Sequence, residues 1–99
     1  MMRENQFQSN LKKEIYKMFP GCFIFRPDPT EVQGICDLLI IYKDKWAALE
    51  CKRSNNAHLQ NNQTYYVNLL NEMSFCRFIE PSNKEEVLYE LQCAFGSSR

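Results

Sequence analysis

The chain has 99 residues, of which 44% are hydrophobic and 13% aromatic, and its twelve Lys and Arg balance twelve Asp and Glu. This length predicts a single domain over residues 1–99, and the apolar content excludes an intrinsically disordered chain. The zero net charge excludes a uniformly basic nucleic-acid binder, so any DNA-binding face has to be local.

The sequence also argues against a membrane-spanning or secreted protein and against a zinc-binding protein. No apolar run approaches the roughly 20 residues of a membrane span, and the N-terminus is polar, unlike a signal peptide. The five cysteines are odd in number and lack C-x-x-C spacing, which favours buried thiols in the cytoplasm. The single histidine, His58, leaves no ligand pair for zinc.

The first half of the chain predicts one helix followed by three strands. Phe7, Leu11, Ile15 and Met18 share one face of a helix over residues 3–19, which Pro20-Gly21 ends. The following segments are a strand at 22–26, a turn-rich stretch at 27–35, a buried strand at 37–42, a polar turn at 43–45 and a strand at 46–51.

The second half predicts a polar loop at 53–59, a helix at 61–73, a strand at 75–79 and a final helix before a frayed tail at 95–99. Tyr66, Leu69, Leu70 and Met73 share one side of the first of these helices. Ser82 and Glu85 have the spacing of a capping box that opens the last helix. The order α-β-β-β-α-β-α predicts an α/β domain with a mixed central sheet flanked by helices.

Three charged residues stand at one end of the predicted β-hairpin. Asp37 opens one strand, whereas Glu50 and Lys52 close the next. In an antiparallel pair the start of one strand lies beside the end of the other, so Asp37 and Glu50 are expected to be neighbours. Glu50 and Lys52 are two residues apart and project from the same face.

Charges at the edge of an apolar hairpin have to be paired or bind a metal. Carboxylate oxygens favour Mg²⁺ or Mn²⁺, ions that polarise a phosphoryl oxygen and activate a water molecule. The ammonium of Lys52 would offset charge in the transition state or orient that water. An E-x-K triplet alone arises by chance in roughly a third of chains this long, but its conjunction with an Asp opening a buried strand is far more specific.

This pattern resembles the PD-(D/E)-x-K nuclease superfamily, most closely the virus-type replication-repair nucleases (VRR-NUC) and next the archaeal-type Holliday junction resolvases. The resemblance spans residues 3–91 and implies a restriction-endonuclease-like αβββαβ core. It implies that Asp37 and Glu50 bind metal, that Lys52 is the motif lysine, and that the carbonyl of Cys51 is a further ligand. The family commonly has proline before the motif Asp, where this chain has Cys36.

The resemblance also implies an acid in the first helix and a glutamine in the helix after E-x-K. Glu4 lies about 20° from Leu11 on the helical wheel and Glu14 about 60° away, so Glu4 is the expected metal ligand. The alternative for Glu4 is a first-turn acid that complements the helix dipole. Gln63 precedes an aromatic residue at Q-x-x-aromatic spacing and is expected to hold water or phosphate, or to be an ordinary surface amide.

The expected activity is metal-dependent DNA endonuclease cleavage, directed to branched DNA such as a Holliday junction more than to sequence. Arg26 and Arg53 are expected phosphate contacts, and a homodimer would present two active sites. Small members of the family are often phage-encoded, which would place the protein in the bacterial host cytoplasm. The alternatives are a non-catalytic DNA-binding or assembly subunit with the nuclease fold, and an unrelated α/β interaction domain in which the motif is accidental.

Overall fold

A computed structural model describes the backbone of residues 4–52 and 61–96, and the side chains of residues 6–52 and 62–96. Arg53 and His58, with the rest of segments 53–60 and 97–99, lie outside this description. The described chain has three helices and four strands in the predicted order: α1 (Glu4–Met18), β1 (Phe23–Phe25), β2 (Leu38–Tyr42), β3 (Lys45–Cys51), α2 (Asn61–Met73), β4 (Cys76–Ile79) and α3 (Lys84–Phe95).

The four strands form one mixed sheet in the order β1-β2-β3-β4. β1 and β3 both run antiparallel to β2, and the β2–β3 hairpin turns through Lys43 and Asp44, with Lys43 at a φ of 59°. β4 runs parallel to β3, which requires a long crossover connection, and α2 supplies it. The predicted α/β architecture, a mixed sheet flanked by helices, is therefore confirmed.

The main core lies on one face of the sheet, beneath α1 and α3. The predicted apolar face of α1 is buried at Phe7, Leu11 and Ile15, while Met18 is only partly buried. Phe19, just beyond the helix, is fully buried, and its ring centroid lies 5.0 Å from that of Phe95 in α3. This face carries the larger hydrophobic core, which holds the strands that bear the charged residues in place.

The opposite face carries a smaller cluster beneath α2. Val67 and Leu70 of α2 pack over Ala48 in β3 and Cys76 in β4. Side chains alternate across a strand, so the even-numbered residues of β3 that follow Ala48 point to this same face. Glu50 and Lys52 thus emerge beside α2, away from the main core.

Three details differ from the sequence expectations. Met73 is 64% exposed, although it was expected on the apolar side of α2. The capping box was wrong: Asn83 is the N-cap of α3, and the Ser82 hydroxyl donates to the side chain of Glu80. α3 extends to the buried Phe95 and ends at Gly96 in the left-handed conformation, two residues into the expected frayed tail. Within the described residues, no helix combines the length and hydropathy needed to cross a bilayer.

Candidate active site

Asp37 and Glu50 stand opposite each other at one end of the β2–β3 pair. Leu38 is paired with Leu49, so the next residues outward along the two strands are Asp37 and Glu50. The backbone N–H of Asp37 donates to the carbonyl of Leu49 at 3.1 Å, which extends the ladder to this point. The two carboxylates, thirteen residues apart in the sequence, are therefore cross-strand neighbours on the face that α2 covers.

A backbone amide fixes the Asp37 carboxylate. The N–H of Cys51 donates to Oδ2 of Asp37 at 2.8 Å. The Cys51 side chain is buried in the main core, on the other face of the sheet. Packing of that thiol thus holds the peptide that orients Asp37.

Glu50 is buried, with only 3% of its surface exposed. Its Oε2 accepts a hydrogen bond of 2.7 Å from Nε2 of Gln63, in the first turn of α2. The structure therefore brings the sequence-predicted Gln63 to the candidate site, where its amide holds a carboxylate. A buried carboxylate needs such donors, since water is excluded from it.

Electrostatics at this edge of the sheet favour a cation. Burial raises the pKa of Asp37, against the opposing effects of the Cys51 N–H and the positive charge of Arg26. Burial, followed by the charges of Glu50 and Asp37, raises the pKa of the Cys36 thiol to about 12. Asp37 and Glu50 thus lie in a poorly solvated environment, where a bound cation would lower the free-energy cost of ionising their carboxyl groups.

Arg26 lies one residue beyond β1, close enough to Asp37 for its charge to lower the pKa of that carboxyl. Its Nη1 donates to Oε1 of Gln8 at 2.6 Å, and Gln8 is 5% exposed. Sequence reasoning missed Gln8, although a polar residue three positions before Leu11 on an apolar helix face was a usable signal. Gln8 is also one turn after Glu4, whose backbone begins α1 but whose side chain lies outside the described residues.

Lys52 makes its contacts on the β4 side of the site. Its Nζ is 3.7 Å from Oε1 of Glu80 and 5.2 Å from the centre of the Phe78 ring. The side chains of Lys52 and Glu80 are 18% and 11% exposed. Sequence reasoning did not single out Glu80, because an acid between a strand and a proline is normally exposed to solvent.

The donor set fits a hard divalent cation, although the protein side chains alone would not complete its coordination. Asp37 and Glu50 supply carboxylate oxygens, the preferred ligands of Mg²⁺ and Mn²⁺. In the described part of the chain, no three His, Cys, Asp or Glu side chains are grouped so as to hold a metal ion. The carbonyl of Cys51 and water would therefore have to contribute, as is common for Mg²⁺.

Comparison with protein-family models, with curated proteins and with solved structures finds no match to this chain. The resemblance to nucleases therefore rests on the motif residues and their geometry alone.

Proposed function

We propose that the protein is a metal-dependent DNA endonuclease that hydrolyses phosphodiester bonds. The observation that carries this proposal is the cross-strand pair of Asp37 and Glu50, one carboxylate fixed by a backbone amide and the other by Gln63. Structural charges at a strand end are normally solvated, whereas these are held in place and largely removed from water. Preorganised acids beside a cationic side chain are the arrangement that phosphoryl chemistry requires.

Each residue has a distinct part in the proposed mechanism. Asp37 and Glu50, with the carbonyl of Cys51, would hold Mg²⁺ or Mn²⁺, which when bound supplies Lewis acidity and an activated water. Gln63 keeps the Glu50 carboxylate oriented through its amide. Lys52 offsets the negative charge that develops on the phosphate in the transition state. Glu4 and Arg53 retain their expected roles as metal ligand and phosphate contact.

Arg26 is the proposed phosphate contact on the β1 side of the site. Its guanidinium uses Nη1 for Gln8, and a guanidinium has further N–H donors available for a phosphate oxygen. The bond to Gln8 would preorganise the side chain and reduce the rotamer entropy lost on binding DNA. Arg26 on the β1 side and Lys52 on the β4 side would contact the DNA backbone from opposite sides of the two carboxylates.

The fold is proposed to be the restriction-endonuclease-like core of the PD-(D/E)-x-K superfamily, of the VRR-NUC type. Support comes from the element order αβββαβ, followed here by α3, and from the position of the motif acids at the β2–β3 edge. Such a small domain has little surface for reading bases, so branched DNA such as a four-way junction is the proposed substrate. The protein is proposed to be encoded by a bacteriophage and to act in the cytoplasm of the bacterial host.

The proposal is tested by incubating the purified chain with a four-way junction, a flap, supercoiled plasmid and single strands, with Mg²⁺ or Mn²⁺. Asp37→Asn and Lys52→Ala should each reduce the cleavage rate by about 100-fold or more, by analogy with the loss of one transition-state contact. Asp37→Asn should also weaken metal binding, which Lys52→Ala should largely preserve.

Matched controls exist elsewhere in the chain. Lys84 forms a partly exposed ion pair with Glu14 at 2.9 Å, and Asp44 is an exposed hairpin acid, so Lys84→Ala and Asp44→Asn should keep full activity. Retained cleavage in the Asp37 or Lys52 variant would refute the assigned roles. DNA binding without cleavage of any substrate would instead favour the non-catalytic subunit.

A further inference from the structure

Glu80 is a buried acid for which the proposed mechanism has no use. It follows β4 directly and is 8% exposed. A buried carboxylate in this position destabilises the fold unless it is paired. Removing its partner would cost more free energy than replacing the acid itself with an apolar residue. Its location next to Lys52 therefore calls for a reason beyond stability.

The two oxygens of the Glu80 carboxylate serve different partners. Oε1 faces Nζ of Lys52 at 3.7 Å, and Oε2 accepts the Ser82 hydroxyl at 2.9 Å. The bond to Ser82 restrains the rotation of the carboxylate and so aims the other oxygen at the ammonium. The serine that sequence analysis assigned to a helix cap instead orients an acid at the candidate site.

The backbone around Glu80 is held as firmly as its side chain. The Glu80 N–H donates to Oδ1 of Asn83 at 2.8 Å, while Nδ2 of Asn83 donates to the carbonyl of Phe78 at 3.2 Å. Asn83 is itself the N-cap residue of α3. The position of Glu80 is therefore tied to both β4 and α3, two packed elements.

Lys52 is restrained from two further directions. Its backbone N–H donates to the carbonyl of Ile79 at 2.8 Å, which continues the parallel β3–β4 ladder past Cys51. The Phe78 ring lies beneath its ammonium at 5.2 Å. A free lysine side chain has many rotamers, and fixing it before the substrate arrives removes the entropic cost of ordering it from the reaction.

We propose that Glu80, oriented by Ser82, is a positioning residue that holds the Lys52 ammonium where it meets the scissile phosphate. The inference rests on the proposed nuclease function for its consequence, but the positioning itself is a property of the protein without DNA. Lys84 of α3 and Glu14 of α1 form another ion pair, which includes neither Lys52 nor the motif acids and so provides a matched structural comparison.

Nuclear magnetic resonance of protein labelled with ¹³C at lysine Cε tests the positioning without any cleavage assay. A fixed side chain gives two resolved Hε proton signals for Lys52, and Glu80→Gln should merge them into one averaged signal. Ser82→Ala, which leaves the acid in place, should narrow the separation, whereas Glu14→Gln should leave the Lys52 signals unchanged. Averaged Lys52 signals in the wild-type protein would overturn the proposal.

Steady-state kinetics test whether this positioning serves cleavage. Glu80→Gln should lower kcat by about 10-fold and leave KM for DNA within about twofold, since it removes a contact that matters only in the transition state. In the Lys52→Ala background, Glu80→Gln should cause no additional loss, because both changes disable the same group. Glu14→Gln should retain the wild-type kcat.

An equal effect of Glu80→Gln in the wild-type and Lys52→Ala backgrounds would overturn the proposal, since it would show that Glu80 acts independently of Lys52. Unaltered kcat in Glu80→Gln would overturn it as well. Failure of the wild-type protein to cut any DNA would defeat the proposed function, and the lysine signals would then decide the positioning alone.

Discussion

At the scale of single residues, Asp37 shows the conflict between stability and proposed activity. Burial raises its pKa, so the ionised carboxylate is less favourable in the folded chain than in the unfolded chain. Because the pKa is raised, the associated stability is fully present below the unfolded pKa of about 3.9 and is lost as pH rises through the folded value. Ionised Asp37 therefore destabilises the fold at neutral pH.

Asp37→Asn is accordingly expected to raise the Tm at pH 7, measured by calorimetry in EDTA, while strongly reducing the cleavage rate. The asparagine carbonyl can still accept the Cys51 N–H, so the backbone contact is retained. The gain in Tm should shrink as pH falls and disappear below about pH 3.9, where aspartic acid is protonated in both states. Asp44→Asn, at an exposed position, controls for general charge effects. A lower Tm for Asp37→Asn at pH 7 would contradict this account.

The same residues show what sequence could and could not predict. The proximity of Asp37 and Glu50 was predicted from strand pairing, whereas Gln63 was expected only from the resemblance to nucleases. In the structure Asp37 and Glu50 are cross-strand neighbours, and Gln63 donates to Glu50. Gln8 and Glu80 were missed because their partners, Arg26 and Lys52, are distant in sequence and become neighbours only through packing. Tertiary pairing of polar groups leaves little periodic signal in one sequence.

At the scale of elements, the helices and strands were predictable to within one or two residues, whereas the way the 27–35 segment packs was not. Gly34 has a φ of +89°, and a Cβ built there would lie 2.3 Å from Cβ of Asn62 in α2. Asn62 also donates from Nδ2 to the carbonyl of Gln33 at 3.3 Å. This close approach sets the start of α2, and therefore Gln63, against the strand that Asp37 precedes.

Gly34→Ala should destabilise the protein by more than the roughly 1–3 kcal/mol expected for a left-handed non-glycine residue alone. The added methyl group meets α2, so the contact from Gln63 to Glu50 should weaken and cleavage should fall. Gly21→Ala is the matched control, because Gly21 has a similar φ of +91° but nothing within 4 Å of the added Cβ. Urea unfolding of both variants measures the difference, and equal destabilisation would show that the contact with α2 is unimportant.

At the scale of the whole molecule, the helices cover the sheet unevenly. α1 and α3 cover one face, whereas the α2 face leaves apolar side chains of β1 exposed, with Phe23 at 62% and Phe25 at 51%. Phe23 and Phe25 pair in register with Ile41 and Leu39, which line a groove of about 570 Å³ together with Trp46 and Met73. An apolar face with both projecting rings and a groove can be self-complementary about a two-fold axis.

The proposed occupant of this face is a second copy of the chain. A stable dimer needs about 800 Å² from each partner, and several large apolar side chains at the centre would provide its anchor. Light scattering should give a mass of twice 11.8 kDa for the wild-type chain, and replacing Phe23 and Phe25 by serine should give the monomer. A monomeric wild-type chain at micromolar concentration would contradict the dimer without affecting the site.

The proposed mechanism requires a divalent cation between the two opposed acids, and diffraction from crystals soaked in Mn²⁺ can detect that cation. Data collected at the manganese absorption edge should show one anomalous peak at about 2.0–2.6 Å from oxygens of both Asp37 and Glu50. The peak should be absent from soaked Asp37→Asn crystals. The proposed metal site would be excluded if the wild-type protein showed no peak beside these carboxylates at Mn²⁺ concentrations that fill the metal sites of other nucleases.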